Sequence, residues 1–217
     1  GDYHDQEAGH WILDSKISTP MSTYLDFKNS RTSFGINVMK SIVVEVEASD
    51  GSIGVSTGQG GAPACYMIEQ HFRRFIVGLD PRDINKAWDQ MYRASMYYGG
   101  KGLPMWAISV VDLALWDLLG VIRNEPVYKM IGGAVRDEIE LYCTGIRPDA
   151  AKEAGFIGGK MPLPFAPVDR HEGLKANVEH FQEMRNKVGS DFWLMADCWM
   201  SLDVSYAVEL ANAMQDV

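Results

Sequence analysis

A long apolar segment that contains two acidic residues constrains the fold of this chain most. Apolar side chains recur along it at three- and four-residue steps, at Ile108, Val111, Leu115, Leu118 and Leu119. Since most other positions are also apolar, the pattern predicts a helix over residues 103–119 that is buried on nearly all sides. Asp112 and Asp117 interrupt the apolar surface. Because a buried carboxylate needs a hydrogen bond or a cation, we expect each to anchor a neighbouring segment rather than to act in catalysis.

Composition and charge exclude several classes of protein. The 217 residues are 47% hydrophobic, which is enough to bury a core. A net charge of −9 and a pI near 5.0 oppose binding to nucleic acid or to an anionic membrane, since such binding relies on clustered lysine and arginine. We also expect no membrane partner because no apolar run approaches transmembrane length and no signal peptide opens the chain.

The cysteines and the chain ends suggest where the protein works and how much of it is present. Cys65, Cys143 and Cys198 are odd in number and form no Cys-x-x-Cys pair, which favours free thiols in a reducing compartment. Cytoplasm is therefore the default location. The chain starts without methionine and stops at Val217 within a predicted helix, so we expect a piece of a longer protein.

The first part of the chain shows the pattern of an α+β domain. Two strands are predicted over residues 36–48 and 53–57, and Asp50-Gly51 between them is a hairpin turn signal. Helices are predicted at about 64–77, 84–96 and 103–119. We assign residues 1–136 to this domain.

After Arg136 the pattern changes to alternating strands and helices. Strands are predicted over residues 138–144, 156–161 and 192–197, and helices over 149–154, 171–188 and 204–214. Such alternation specifies parallel strands with crossover helices. Three strands cannot close a barrel, and a three-stranded parallel sheet leaves edges and one face uncovered. Residues 137–217 are therefore expected to be the first three βα units of a larger structure.

Residues 58–63, Gly-Gln-Gly-Gly-Ala-Pro, lie between a strand and a helix as a dinucleotide-binding turn would. Pro63 stands where that fingerprint needs glycine or alanine, and the flanking strands form a hairpin rather than a βαβ unit. Nucleotide binding is therefore disfavoured. Because glycine-rich turns carry little side-chain packing, residues 58–62 are predicted to be a mobile loop.

Two charged residues near the strand ends are candidates for chemistry. Asp197 ends an apolar strand, and by itself an aspartate here most often caps the next helix, although Ser201 and Asp203 could also do so. Metal ligation is the alternative. Lys160 in the second strand could hold a bound carboxylate or form an ordinary ion pair, and its sequence position leaves both open.

The segment 107–136 resembles the signature of the mandelate racemase branch of the enolase superfamily. That signature combines an acid-containing helix with Pro-Val-Tyr and a later Gly-Gly pair. The matching residues are Ala107, Ser109, Asp112, Ala114, Leu115, Asp117, Leu118, Gly120, Pro126, Val127, Tyr128, Gly132, Gly133 and Arg136. Val121 and Met130 depart from it, but neither position carries chemistry.

The resemblance implies a modified TIM (β/α) barrel capped by the α+β domain, and a divalent metal, Mg²⁺. The branch's first metal ligand is the aspartate that ends the third strand, which corresponds to Asp197. Its racemases carry Lys-x-Lys in the second strand. Here Lys160 fits the first position but Pro162 stands at the second, so two-face racemisation is disfavoured. The resemblance also implies that residues 58–62 could form a lid over the active site.

A closer resemblance, to one subfamily of acid-sugar dehydratases within the branch, covers nearly the whole chain. It rests on the segments around His4, Ser30-Arg31, 156–162 and 192–201. It implies a hydro-lyase that removes water from L-rhamnonate to give 2-keto-3-deoxy-L-rhamnonate, with substrate contacts from His4, Arg31 and Lys160. The guanidinium of Arg31 suits a carboxylate because it can bind one bidentately.

The resemblance places the catalytic base and the remaining metal ligands beyond Val217. The 217-residue chain alone is therefore predicted to be inactive, and a homo-oligomer is expected for the enzyme. Two alternatives remain open: another acid-sugar dehydratase or an epimerase of the superfamily, and a noncatalytic oligomerisation or binding module.

Overall fold

The computed structural model describes residues 15–28, 34 and 39–217. The strands are β1 (Ser41–Glu47), β2 (Ile53–Gln59), β3 (Tyr142–Thr144), β4 (Gly158–Pro162) and β5 (Trp193–Asp197). The helices are α1 (Gly61–Met67), α2 (Arg73–Ile76), α3 (Ile84–Ser95), α4 (Leu103–Arg123), α5 (Val127–Met130), α6 (Pro148–Glu153), α7 (Arg170–Val188) and α8 (Val204–Ala213). A π-helical turn, Ile68–Phe72, joins α1 to α2.

The described residues divide into two compact units, each with its own core. The first contains residues 39–137 and the second contains residues 138–217 together with 15–28 and 34. The predicted boundary after Arg136 falls within one residue of this division. The amino-terminal segment differs from the predicted domain of residues 1–136, because residues 15–28 group with the second unit.

In the first unit a two-stranded antiparallel hairpin packs on helix α4. The face of β2 that meets the helix carries only small residues, Gly54, Ser56 and Gly58. A Cβ atom on Gly54 would lie 2.3 Å from the carbonyl oxygen of Ala114 and 2.3 Å from the backbone nitrogen of Leu118. The Ser56 hydroxyl donates a hydrogen bond of 2.6 Å to the Val110 carbonyl. The strand therefore approaches the helix backbone to backbone, which larger residues would prevent.

Helix α4 is less completely covered within this unit than its sequence predicts. Leu113 is 54% exposed, and Trp106 and Asp117 are also exposed. Asp117 nevertheless accepts a hydrogen bond of 2.8 Å from the backbone N–H of Val55, so its predicted anchoring role is confirmed. This carboxylate satisfies a donor on the open edge of β2. Asp112 is half-buried, and burial raises the pKa of its carboxyl, but it has no such hydrogen bond among the described residues.

The expectation that no apolar run approaches transmembrane length is wrong for helix α4. It has 21 residues and a mean hydropathy of 1.8 over its most apolar window, so by length and composition alone it could cross a membrane. In the structure it is the central helix of the first unit. Its buried side chains pack against the hairpin and against α3, which is how the core helix of a globular domain is arranged.

The prediction of an irregular, mobile loop at residues 58–62 is wrong for this structure, whereas a lid role for this segment stays a prediction. Strand β2 extends to Gln59 and helix α1 starts at Gly61, so Gly60 alone connects them. Gly60 has φ +127°, which favours glycine. A Cβ on Gly58 would lie 2.5 Å from Val110 Cγ2. The glycines in this segment serve a tight connection and close packing rather than mobility.

The second unit is a parallel sheet covered by helices on one face, as predicted. Its strand order is β3-β4-β5, with both pairs parallel. Strand β3 starts at Tyr142 rather than at residue 138, with Tyr142 opposite Gly158, the first residue of β4. Just before the strands begin, the Ile157 N–H donates a hydrogen bond of 3.1 Å to the Leu141 carbonyl. Buried residues of α7 and α8, including Phe181, Met184 and Leu210, pack with Met161 of β4.

A fully buried asparagine ties the helices of this unit to the chain that follows β4. Asn177 on α7 accepts a hydrogen bond from the Phe165 N–H at 3.1 Å and donates one to the Phe165 carbonyl at 2.9 Å. Its amide also donates to the hydroxyl of Tyr206 on α8 at 3.1 Å. Because an unpaired buried amide is costly, this set fixes α7, α8 and the loop relative to one another.

We predict that Gly54→Ala will destabilise the protein by about 3 kcal/mol, because the added methyl group meets backbone atoms that cannot move aside. Chemical denaturation would measure the loss in the free energy of unfolding. Gly100→Ala is the matched control in the same unit, since its Cβ would make only ordinary contacts of 3.5 Å or more. Equal stability of the two variants would contradict the backbone-to-backbone packing of β2 on α4.

Candidate functional site

The candidate site lies where the parallel strands of the second unit end. In β4 and β5, Lys160 pairs with Met195, and Pro162 pairs with Asp197. Neighbouring residues of parallel strands share a face, and side chains alternate between faces along a strand. Lys160 and Asp197 therefore lie on one face of the sheet. The opposite face carries Met161 and Leu194, which pack against the helices.

Lys160 and Asp197 form an ion pair at this end of the sheet. The Lys160 ammonium lies 3.0 Å from Asp197 Oδ2, and the two side chains are 28% and 29% exposed. The hydrogen bond to Asp197 raises the pKa of Lys160 above its ordinary value, so the lysine stays protonated at neutral pH. The other carboxylate oxygen, Asp197 Oδ1, accepts a hydrogen bond of 3.2 Å from the Trp199 N–H. The carboxylate thus has a partner on each oxygen.

The turn after Asp197 has an unusual backbone. Trp199 and Met200 have φ values of +45° and +59°, in the left-handed region that non-glycine residues rarely adopt. The turn is closed by Ser201, whose hydroxyl donates to the Cys198 carbonyl at 2.7 Å. Such a backbone costs free energy, and the hydrogen bonds from the Trp199 N–H and the Ser201 hydroxyl hold it in place.

Trp199 is a candidate functional residue that the sequence patterns did not identify. Its indole N–H is buried and has no hydrogen-bond partner among the described residues. Its ring packs edge-on against Phe34, with the ring centroids 6.4 Å apart. The sequence did not predict the left-handed backbone at Trp199 and Met200, because neither tryptophan nor methionine typically adopts that conformation. The only pointer is the position of Trp199, two residues after a strand-ending carboxylate.

The structure excludes one of the two interpretations of Asp197, namely that it caps the next helix. Helix α8 is capped by Asp203, whose Oδ1 accepts from the Tyr206 N–H at 2.8 Å. Asp197 lies six residues earlier in the chain and does not cap that helix. Its carboxylate points instead to the Lys160 ammonium, so the capping interpretation of Asp197 is wrong.

The amino-terminal segment runs past the same ends of the strands. The Ser18 N–H donates to the Leu163 carbonyl at 2.8 Å, just after β4. The Ser18 hydroxyl lies 2.8 Å from the hydroxyl of Ser201, just after β5. Further along, Lys28 forms an ion pair with Asp169. The predicted substrate-binding residues His4 and Arg31 lie outside the described residues.

The donor chemistry of this site fits one ligand of a hard cation. Mg²⁺ prefers oxygen ligands, especially carboxylates, and Asp197 offers one. Across the described ranges, no group of three or more histidine, cysteine or acidic residues is placed to hold a metal ion. Asp197 could thus serve as one ligand among several, with the others supplied from outside the described residues.

Cys198 does not fit a nucleophilic role despite its position. Burial raises the pKa of its thiol, and the negative charge of Asp197 raises it further. Since the thiolate is the reactive form, this thiol is a weak nucleophile at neutral pH. The cysteine packs at the edge of the second core instead. Cys65, Cys143 and Cys198 are all free, as predicted.

Comparison with known proteins identifies clear similarities. A family model described as "Mandelate racemase / muconate lactonizing enzyme, N-terminal domain" matches residues 18–132. A crystal structure of rhamnonate dehydratase from Gibberella zeae complexed with Mg has 59% identity and a TM-score of 0.95, over 100% of this chain and 53% of that one. A second structure, of L-rhamnonate dehydratase from the same organism, has 59% identity and a TM-score of 0.93 over 96% of this chain and 53% of that one.

A more distant similarity is to a racemase from Streptomyces coelicolor A3(2) with bound magnesium. It has 32% identity and a TM-score of 0.71, over 82% of this chain and 52% of that one. The chain therefore spans about half the length of each of these relatives.

We predict that Met200→Gly will stabilise the protein by about 1 kcal/mol, because glycine adopts the left-handed backbone without the Cβ clash. The Met200 side chain is largely exposed, so little packing is lost. Met96→Gly is the matched control: Met96 is also exposed but has φ −56°, where glycine should destabilise. Denaturant unfolding of both variants would check the difference, and losses of similar size would contradict strain at Met200.

Proposed function

The chain belongs to the mandelate racemase / muconate lactonizing enzyme family of the enolase superfamily, and from this we propose that it forms part of a Mg²⁺-dependent acid-sugar dehydratase. The reaction we propose is loss of water from L-rhamnonate to give 2-keto-3-deoxy-L-rhamnonate. The observation that carries the proposal is the position of Lys160 and Asp197, side by side at the ends of β4 and β5. The 59% identity to rhamnonate dehydratase supports the choice of substrate.

The chemical difficulty of this reaction explains why such a site is needed. The hydrogen next to a carboxylate is only weakly acidic, and its removal concentrates negative charge on the carboxylate oxygens. A bound Mg²⁺ would supply Lewis-acid stabilisation of that charge. In this chain Asp197 would hold the cation through a carboxylate oxygen, because it is the acidic residue at the carboxyl end of β5.

Lys160 would add a second positive charge next to the substrate carboxylate. Its ammonium lies on the same face of the sheet as Asp197 and stays protonated, since the ion pair raises its pKa. A cation at this position favours the enediolate over the substrate carboxylate, because the added negative charge of the enediolate is stabilised more than the ground state. Lys160 thus binds and polarises the substrate but does not remove its α-proton.

The residue two places after Lys160 bears on whether the reaction is an elimination or a racemisation. Pro162 has no titratable group and pairs with Asp197 across the strands. A second lysine, which would serve proton transfer on the opposite face of the substrate, is therefore missing from β4. A one-base elimination fits this strand better than a two-base racemisation. The base and its partner are proposed to lie outside the 217 residues.

Further substrate contacts are proposed for His4 and Arg31. The proposal rests on their residue types and on the sequence resemblance, and Arg31 follows Lys28 by three residues. A guanidinium can bind a carboxylate with two parallel hydrogen bonds. We further propose a cytoplasmic homo-oligomer; the free state of all three cysteines is compatible with a reducing compartment.

We predict that turnover depends on the metal. Purified native protein should form 2-keto-3-deoxy acid from L-rhamnonate with Mg²⁺ and lose that activity in EDTA, because the enediolate then lacks its cation. A discontinuous assay for the 2-keto product would measure this. Turnover of a different acid sugar alone, or of an epimer without loss of water, would favour another enzyme of the superfamily. Absence of turnover on all acid sugars would favour a binding module.

We predict that Asp197 is required for metal binding and turnover. Asp197→Asn in the native protein should lower kcat/KM by about 10³-fold and abolish Mg²⁺ binding, since the amide is a poor ligand. Asp203→Asn is the matched control: asparagine caps a helix as well as aspartate, so activity and stability should persist. Near-normal activity of Asp197→Asn would contradict its role as a ligand.

We predict that the isolated 217-residue chain is inactive. Expressed alone, the 217 residues should dehydrate no acid sugar, because Asp197 is then the only ligand we assign and the base is missing. The same assay would measure this, and circular dichroism would show whether the chain is folded. Full activity of the isolated chain would contradict the proposed division of the site.

A further inference from the structure

The ion pair between Lys160 and Asp197 has a consequence for metal binding. Each oxygen of the Asp197 carboxylate already has one partner, because Oδ2 pairs with the Lys160 ammonium at 3.0 Å and Oδ1 accepts from the Trp199 N–H at 3.2 Å. A divalent cation bound to this carboxylate would lie close to the Lys160 ammonium, which is already within hydrogen-bond distance of Oδ2. Two positive charges this close repel each other, and with both side chains about 70% covered the repulsion is only partly screened.

On the basis of the function proposed above, we propose that Lys160 occupies the cation position beside Asp197 when no metal is bound and that metal binding releases it. The released ammonium then becomes available to the carboxylate of the acid substrate. Lys160 would therefore be a competitor of the metal in one state and a ligand of the substrate in the next. Lys160 is therefore a positioning residue, and it favours binding of the metal before binding of the acid substrate.

The surroundings of Lys160 allow this exchange. The Lys160 side chain is 28% exposed and lies on the face of the sheet away from the helical core, so it can swing without disturbing packed residues. Tyr142 on β3 lies next to it, with the ammonium 5.8 Å from the ring centroid. That ring face offers a favourable alternative position for the cation. Asp197 is held more firmly, because the Trp199 N–H fixes its other oxygen.

The exchange predicts effects of opposite sign in a single variant. Lys160→Met removes the competing charge, so the native protein should bind Mn²⁺ about tenfold more tightly. The same variant should bind a carboxylate probe, oxalate, about tenfold more weakly when saturated with metal, because the released ammonium is gone. A merely structural role for Lys160 would weaken both affinities together. Lys160→Arg keeps the charge and should leave Mn²⁺ affinity within about twofold of the native value.

The experiment is a titration of Mn²⁺ followed by electron paramagnetic resonance, with Mg²⁺ as competitor, and then calorimetry with oxalate. Lys175→Met is the matched control, since Lys175 also pairs with a carboxylate, Glu179, but on the exposed surface of α7. It should change neither affinity. Asp197→Asn distinguishes a failure of the proposed function from a failure of the Lys160 exchange alone. If it leaves Mn²⁺ binding intact, Asp197 is not a ligand and the proposed function fails with it.

If Asp197→Asn abolishes Mn²⁺ binding but Lys160→Met leaves it unchanged or weakens it, the exchange is overturned while the proposed function stands. Tighter Mn²⁺ binding with unchanged oxalate binding would also overturn it, because the lysine would then compete with the metal without passing to the acid. Only tighter metal binding together with weaker oxalate binding supports the exchange.

Discussion

The parallel register of β4 and β5 is the constraint on which the candidate site depends. Because Pro162 lies opposite Asp197 and Lys160 lies opposite Met195, a lysine and an aspartate from different strands reach one another on the open face of the sheet. A register shift of one residue would send one of the two side chains into the helical core. The buried contacts of Met161 and the hydrogen bonds of Asn177 hold that register from the opposite face.

The two units solve the problem of burying a sheet in different ways. In the first, β2 presents glycine and serine to helix α4, and these small side chains allow the two backbones to pack closely. In the second, larger side chains on one face of a parallel sheet fill the space under α7 and α8. The other face carries the charged pair. This asymmetry is what leaves polar groups of the second unit available for chemistry.

Regular elements and strand-ending residues could be predicted from the sequence, whereas details set by tertiary contact could not. The periodicity of α4 and the turn signal at Asp50-Gly51 predicted the first unit because each depends on local sequence alone. The strand that ends at Asp197 was predicted for the same reason. The glycines of residues 58–61 were misinterpreted as a mobile loop because their function lies in contacts with Val110 and Lys40, which are far away in sequence. The left-handed turn at Trp199 was missed because no residue there announces such a backbone.

Crystallography of the native protein would show whether Asp197 is a metal ligand and whether Lys160 pairs with it only when no metal is bound. Crystals soaked in Mn²⁺ would give an anomalous signal at the position of the metal. We expect a peak within coordination distance of an Asp197 oxygen, with the Lys160 ammonium moved out of hydrogen-bond distance from that carboxylate. A peak elsewhere, with the ion pair intact at 3.0 Å, would contradict it.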